Sequence, residues 1–131
     1  MKKVYSILLE TSFAMIFGSL IGLIFAVISI KLFKSPHDYY GFGALFLGMY
    51  GFSFGYLIGM PVGVKLASKL TKENGAILKP FIASAIISMF VYLLLYLNIL
   101  SSISIFIALN LILPLLIFII IYNVTKNIIQ T

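Results

Sequence analysis

Four long apolar stretches, at about residues 5–30, 40–64, 80–97 and 103–122, leave this chain few ways to fold. Crossing about 30 Å of hydrocarbon takes about 20 helical residues at 1.5 Å each, and each stretch is close to that length. Charged residues make up 9% of the chain and hydrophobic ones 63%, whereas soluble domains are about 25% charged. The sequence therefore predicts an all-α membrane protein, a four-transmembrane-helix bundle forming one integral membrane domain over residues 1–131. The first stretch follows Met-Lys-Lys as a signal peptide would, but its apolar run is too long, it contains Glu10, and no small-x-small site follows, so it is expected to stay attached.

The breaks between stretches have their own chemistry. "KSPHDYYG" carries Pro36 and Asp38 and cannot continue a membrane helix. "ENG" puts Gly75 where a helix is expected to end, and Pro80 suits a first helical turn. Asn98, Ser101 and Ser102 predict a tight turn. All nine basic residues are lysines at or near span ends, which is the pattern of interfacial anchoring rather than of nucleic-acid binding. Lys2, Lys3, Lys65, Lys69, Lys72, Lys79 and Lys126 fall on one side, against Lys31 and Lys34 on the other. That bias predicts cytoplasmic N- and C-termini. The Lys-, Ile- and Asn-rich, Arg-free composition suggests an A/T-rich genome, and hence the cytoplasmic membrane of a bacterium.

Within the second stretch, Gly51, Gly55, Gly59 and Gly63 recur at intervals of four. Lipid tails are as apolar as leucine, so membrane helices associate through close packing, and glycines on one oblique row let backbones approach. The first stretch carries a second small-residue row, Ala14, Gly18, Gly22 and Ala26, with Glu10 as its backward continuation. These GxxxG rows have three readings: a tightly packed hairpin of helices 1 and 2, an interface with another copy, or a pore- or ligand-facing surface. The last two spans contain no glycine, so the second hairpin is expected to pack more loosely, facing lipid.

Three groups of polar residues are candidates for chemistry. Glu10 lies about 10 Å from the midplane of its span, about 5 Å inside the hydrocarbon edge. It either reaches the interface or bonds Thr11, Ser12 or nearby backbone, or it serves as an ion or proton site. Pro114 displaces the carbonyl of Asn110, so a freed acceptor and an amide side chain coincide near mid-bilayer. The outcome is a locally satisfied kink or a substrate-facing broken helix. Lys65, Lys69 and Lys72 are spaced to share one face of a helix continuing past the membrane, where they would bind anionic lipid headgroups or dock a cytoplasmic partner.

His37 and Asp38 are too few for a metal site, "NVT" at 123–125 should lie on the cytoplasmic side, away from glycosylation, and no cysteine is available for thiol or disulfide chemistry. No convergent nucleophile, base and stabiliser is present, so no enzyme activity, cofactor or metal is expected. The chain resembles four-helix small multidrug transporters and fluoride channels in length and span count alone. It has neither motif set, and its lysine bias argues against dual orientation. The reading is a small non-catalytic membrane protein acting as a homo-oligomer or as an accessory subunit of a larger complex. The alternative is a small transporter or channel using Glu10 and the Asn110/Pro114 kink. Its partners are the bilayer, anionic lipids and itself or another membrane protein, with no nucleic acid.

Overall fold

The computed structural model describes residues 2–33, 41–73, 75–97 and 102–130. It is all-helical: α1 (Lys2–Phe33), α2 (Phe42–Thr71), α3 (Leu78–Tyr96) and α4 (Ile103–Gln130). Each helix is long and apolar enough to cross a membrane. Pro36, His37, Asp38 and the expected turn residues Asn98 and Ser101 lie outside the described residues.

The helices outrun the apolar stretches. α2 continues to Thr71 rather than 64, and α4 to Gln130 rather than 122. In α4 the polar residues past the apolar run bond back onto their own helix: Asn123 Nδ2 donates to the Ile119 carbonyl at 2.9 Å and Thr125 Oγ1 to that of Ile121 at 3.0 Å. Such back-bonding lets polar side chains extend a helix instead of capping it.

Gly75 does not end α2. Lys72 does, with φ 58°, and the N–H groups of both Lys72 and Glu73 turn back to the Ser68 carbonyl. A lysine in this left-handed conformation costs about 1–2 kcal/mol, which the satisfied carbonyl and the contacts of Glu73 must offset. What Gly75 supplies is space, since a Cβ there would lie 2.7 Å from the ring of Tyr122. Pro80 stands in the first turn of α3, where a missing N–H breaks no helical bond.

The chain runs up, down, up and down. α1 and α2 share by far the most extensive contact and α3 and α4 the next, while contact between the two hairpins is sparse. Each helix buries a line of residues four apart: Ser6, Glu10, Ala14, Gly18 and Gly22 on α1, and Asn110, Pro114, Phe118, Tyr122 and Lys126 on α4. Gly51, Gly55, Gly59 and Gly63 of α2 sit against the backbone of α1. A Cβ on Gly51 would lie 2.6 Å from the Phe25 carbonyl oxygen, one on Gly55 2.6 Å from that of Ile21, and one on Gly59 2.7 Å from the Gly18 Cα. On Gly63 it would lie 2.6 Å from the Phe13 carbonyl carbon. The α1 row receives rings as well as backbone, Gly18 facing Tyr56 and Gly22 facing Phe52. Ala14 is fully buried, whereas Ala26 borders a cavity.

An apolar core fills the space between the hairpins near the end that carries both termini. Ala14, Tyr56, Met60, Val64, Leu115, Phe118, Ile119 and Tyr122 form it. It separates two polar clusters.

Candidate functional site

The first cluster closes the terminal end of the bundle. Ser6 and Glu10, one helical turn apart, present both side chains inward from α1. The left-handed turn at Lys72 brings Glu73 back over them, and α4 delivers Lys126 from the opposite hairpin. Lys126 Nζ then has three oxygens around it: Glu73 Oε2 at 2.6 Å, Glu10 Oε1 at 2.8 Å and Ser6 Oγ at 3.1 Å. The Tyr122 ring lies 5.7 Å from the ammonium, within cation–π range. The Ser6 hydroxyl lies within donating distance of both carboxylates, 2.8 Å from Glu73 and 3.1 Å from Glu10. Glu10 has no exposed surface, and the Lys126 side chain is 3% exposed against 30% for Glu73. The hydrogen bond from Lys126, then that from Ser6, hold the Glu73 carboxyl below its usual range despite the opposing effect of burial.

This arrangement corrects the assignment of Lys126 as an interfacial anchor. The ammonium is enclosed because Lys126 continues α4's buried row of Asn110, Pro114, Phe118 and Tyr122. It also shows what Glu10 bonds: Lys126, Ser6 and Asn123, not Thr11, whose hydroxyl turns to the Ile7 carbonyl.

The second cluster joins α2, α3 and α4 farther from the termini. Asn110 Nδ2 donates to Ser53 Oγ, and Ser88 Oγ donates to Asn110 Oδ1 at 2.8 Å. Ser53 Oγ and the Tyr92 hydroxyl are 2.6 Å apart, and Tyr92 donates to the Met49 carbonyl at 3.0 Å. Tyr92 is held by stacking on Tyr50 and an edge contact with Phe106. α4 runs on through Pro114 as one helix, and three residues before it the Leu111 carbonyl accepts from the Tyr56 hydroxyl at 3.3 Å. Asn110 and Glu10, grouped in sequence as parts of one ion or substrate site, are held apart. Glu10 meets α4 at Lys126, about 24 Å along that helix from Asn110 at 1.5 Å per residue.

Two cavities flank the second cluster. One of about 340 Å³ lies between α1, α2 and α4, against Ala26, Gly48, Phe52, Ser53, Phe106 and Asn110. The other, of about 410 Å³, lies between α2 and α3, against Tyr50, Phe54, Leu57, Phe81, Ser88 and Tyr92. Both are apolar apart from the few hydroxyl and amide groups they share with the cluster. Lys65, Lys69 and Lys72 are exposed at the terminal end. Among the described residues no three His, Cys, Asp or Glu side chains gather as metal ligands would.

The second cluster gives a graded expectation. Asn110→Leu should lower unfolding stability in detergent by about 1–2 kcal/mol, the upper range of interhelical polar contacts in membranes, because it strands Ser88 and leaves Ser53 with Tyr92 alone. Ser88→Ala should cost less, and a neutral Asn110→Leu in denaturant titration would show that the cluster contributes nothing.

No family model matches the chain, and comparison with curated proteins and with solved structures finds no significant relative.

Proposed function

We propose that this chain is a small non-catalytic protein of a bacterial cytoplasmic membrane, with both termini cytoplasmic, that works with copies of itself or as an accessory subunit. The glycine row makes α1–α2 its rigid frame, and α3–α4 is a second arm pinned to that frame by the two polar clusters. The supporting observation is that the interior polar groups are turned on one another across helices rather than on an open site. Because the glycines of α2 lie against α1, association with a partner falls to the lipid-facing surface of large side chains. Lys65, Lys69 and Lys72 face anionic headgroups at the cytoplasmic boundary, each contributing about 1 kcal/mol.

Mild-detergent purification followed by mass measurement tests the assembly. A stoichiometric oligomer or complex is expected, and a partner-free monomer would sink the proposal. Orientation is tested separately, since the chain has no cysteine of its own. A cysteine at Phe33 should react with an impermeant thiol reagent from outside and one at Ala76 should not.

A second reading, solute transport, draws on one observation. The cavity bounded by Ser53 and Asn110 lies on one side of the apolar core, and the enclosed Glu10–Lys126 pair lies on the other. Buried membrane charges commonly mark such pathways. Reconstituted protein should then move solute without a partner, and Glu10→Gln should abolish that movement while leaving the fold intact.

A further inference from the structure

We propose that the cavity between α2 and α3 binds a neutral, mostly apolar alcohol or phenol, held by donation of its hydroxyl hydrogen to Ser53 and Ser88. The inference holds whether the bundle serves assembly or transport, and it concerns a different cavity from the one on which the transport reading draws. This cavity, of about 410 Å³, has a buried floor and an open mouth. Ser53 and Ser88 are 7% and 3% exposed, whereas Tyr50, Phe54 and Met89 at its edge are 55%, 58% and 73% exposed on the lipid-facing side. Among the described residues no charged side chain borders it. An ion entering there would lose its hydration with no counter-charge in return, so the occupant is a neutral molecule that reaches the mouth through the hydrocarbon. An apolar lining around a few placed polar groups, at about 300–1,000 Å³, is the usual form of a small-molecule site.

The floor selects the hydrogen-bonding group. A hydroxyl carries one hydrogen and two lone pairs. The Ser88 hydrogen is committed to Asn110 Oδ1 at 2.8 Å. The Tyr92 hydrogen is committed to the Met49 carbonyl at 3.0 Å, so the 2.6 Å bond between Ser53 and Tyr92 is donated by Ser53. All three hydroxyls border the cavity with their hydrogens spent along this relay. Toward a newcomer they can only accept. Asn110, whose amide carries two hydrogens, borders the other cavity instead. A ketone, ether or ester would set its oxygen against these oxygens and a plain hydrocarbon would offer them nothing, whereas a hydroxyl donates. The rings of Tyr50, Phe54, Phe81 and Tyr92 stand around the space and suit an aromatic body. An apolar cavity of about 150 Å³ holds benzene, so this one has room for two fused rings.

Naphthol is the probe. As a phenol it is neutral at pH 7, as tyrosine is, and the chain has no tryptophan to obscure its fluorescence. Titrated into lipid nanodiscs with and without the protein, naphthol should show one saturable site per chain above its linear uptake by lipid. Its methyl ether keeps the rings and the oxygen but lacks the hydrogen, and naphthalene lacks both. At equal concentration in the membrane, each should compete about 3–10-fold more weakly than naphthol itself, the worth of one neutral hydrogen bond. Ala85→Leu extends a side chain into this cavity and should remove the site, while Gly48→Leu extends one into the other cavity and should leave it. Should Ala85→Leu fail to fold, the probe preference and the Gly48→Leu result still decide. Equal competition by the three compounds, as a groove filled by ordinary lipid would give, overturns the proposal. So does a site that survives Ala85→Leu or vanishes in Gly48→Leu, and so does the absence of saturable uptake by the wild type.

Discussion

Gly59→Leu is expected to lower the stability of the α1–α2 hairpin by about 3 kcal/mol or more, the upper range for overpacking a tight core. Two effects oppose each other. Leucine is a better helix former than glycine by up to about 1 kcal/mol, so an exposed site would gain from the change. At Gly59 the new Cβ alone would lie 2.7 Å from the Gly18 Cα, and the atom it meets is backbone, which cannot rotate away. The overlap therefore outweighs the propensity, and α2 must move off α1. Gly48→Leu is the control, because the nearest atom there is the flexible tip of Ile30 at 3.1 Å. Denaturant titration in detergent, with cysteine crosslinking between α1 and α2, should show a large loss at Gly59 and Gly55 and little at Gly48. Equal tolerance at the three positions would remove the close-packed seam from the account.

Run length made the four helices legible, because hydrocarbon thickness converts directly into residues. Their ends were less so. Asn123 and Thr125 resemble a stop in sequence, yet in α4 they bond to their own carbonyls and the helix goes on. Glycine usually marks a helix end, but the α2 terminus falls at Lys72, where the turn positions Glu73. The inward orientation of Glu10 could be read from its register with Ala14, Gly18 and Gly22. Its partner could not, because Lys126 is 116 residues away and eight other lysines were available. A signal did exist: steps of four from Asn110 pass through Pro114, Phe118 and Tyr122 and arrive at Lys126. Lysines flanking a span are commonly anchors, and that prior concealed the register. Ser53, Ser88 and Tyr92 were missed for a different reason, since hydroxyl groups in apolar helices often bond their own backbone and only tertiary placement shows which bond a neighbour.

Lys126→Met is expected to be the most damaging single change at the terminal end, costing about 3–5 kcal/mol, as removal of one partner from a buried ion pair does. The lost attraction is the smaller part. The larger part is Glu10, left enclosed with only a serine and a distant amide for its charge. Lys126→Met combined with Glu10→Gln should recover much of the loss, because Glu73 alone can still hydrate, and the double-mutant cycle measures the coupling. Glu73 adds a pH dependence whose sign is fixed. Its folded-state carboxyl lies below the ordinary 4.5, so its contribution is present above 4.5 and is lost as pH falls through the depressed value. Glu73→Gln should flatten that acid limb, and so should Lys126→Met, because Lys126 is the first cause of the depression. If unfolding of the wild type and of Glu73→Gln showed the same acid dependence, the Lys126–Glu73 contact would have no part in closing this end of the bundle.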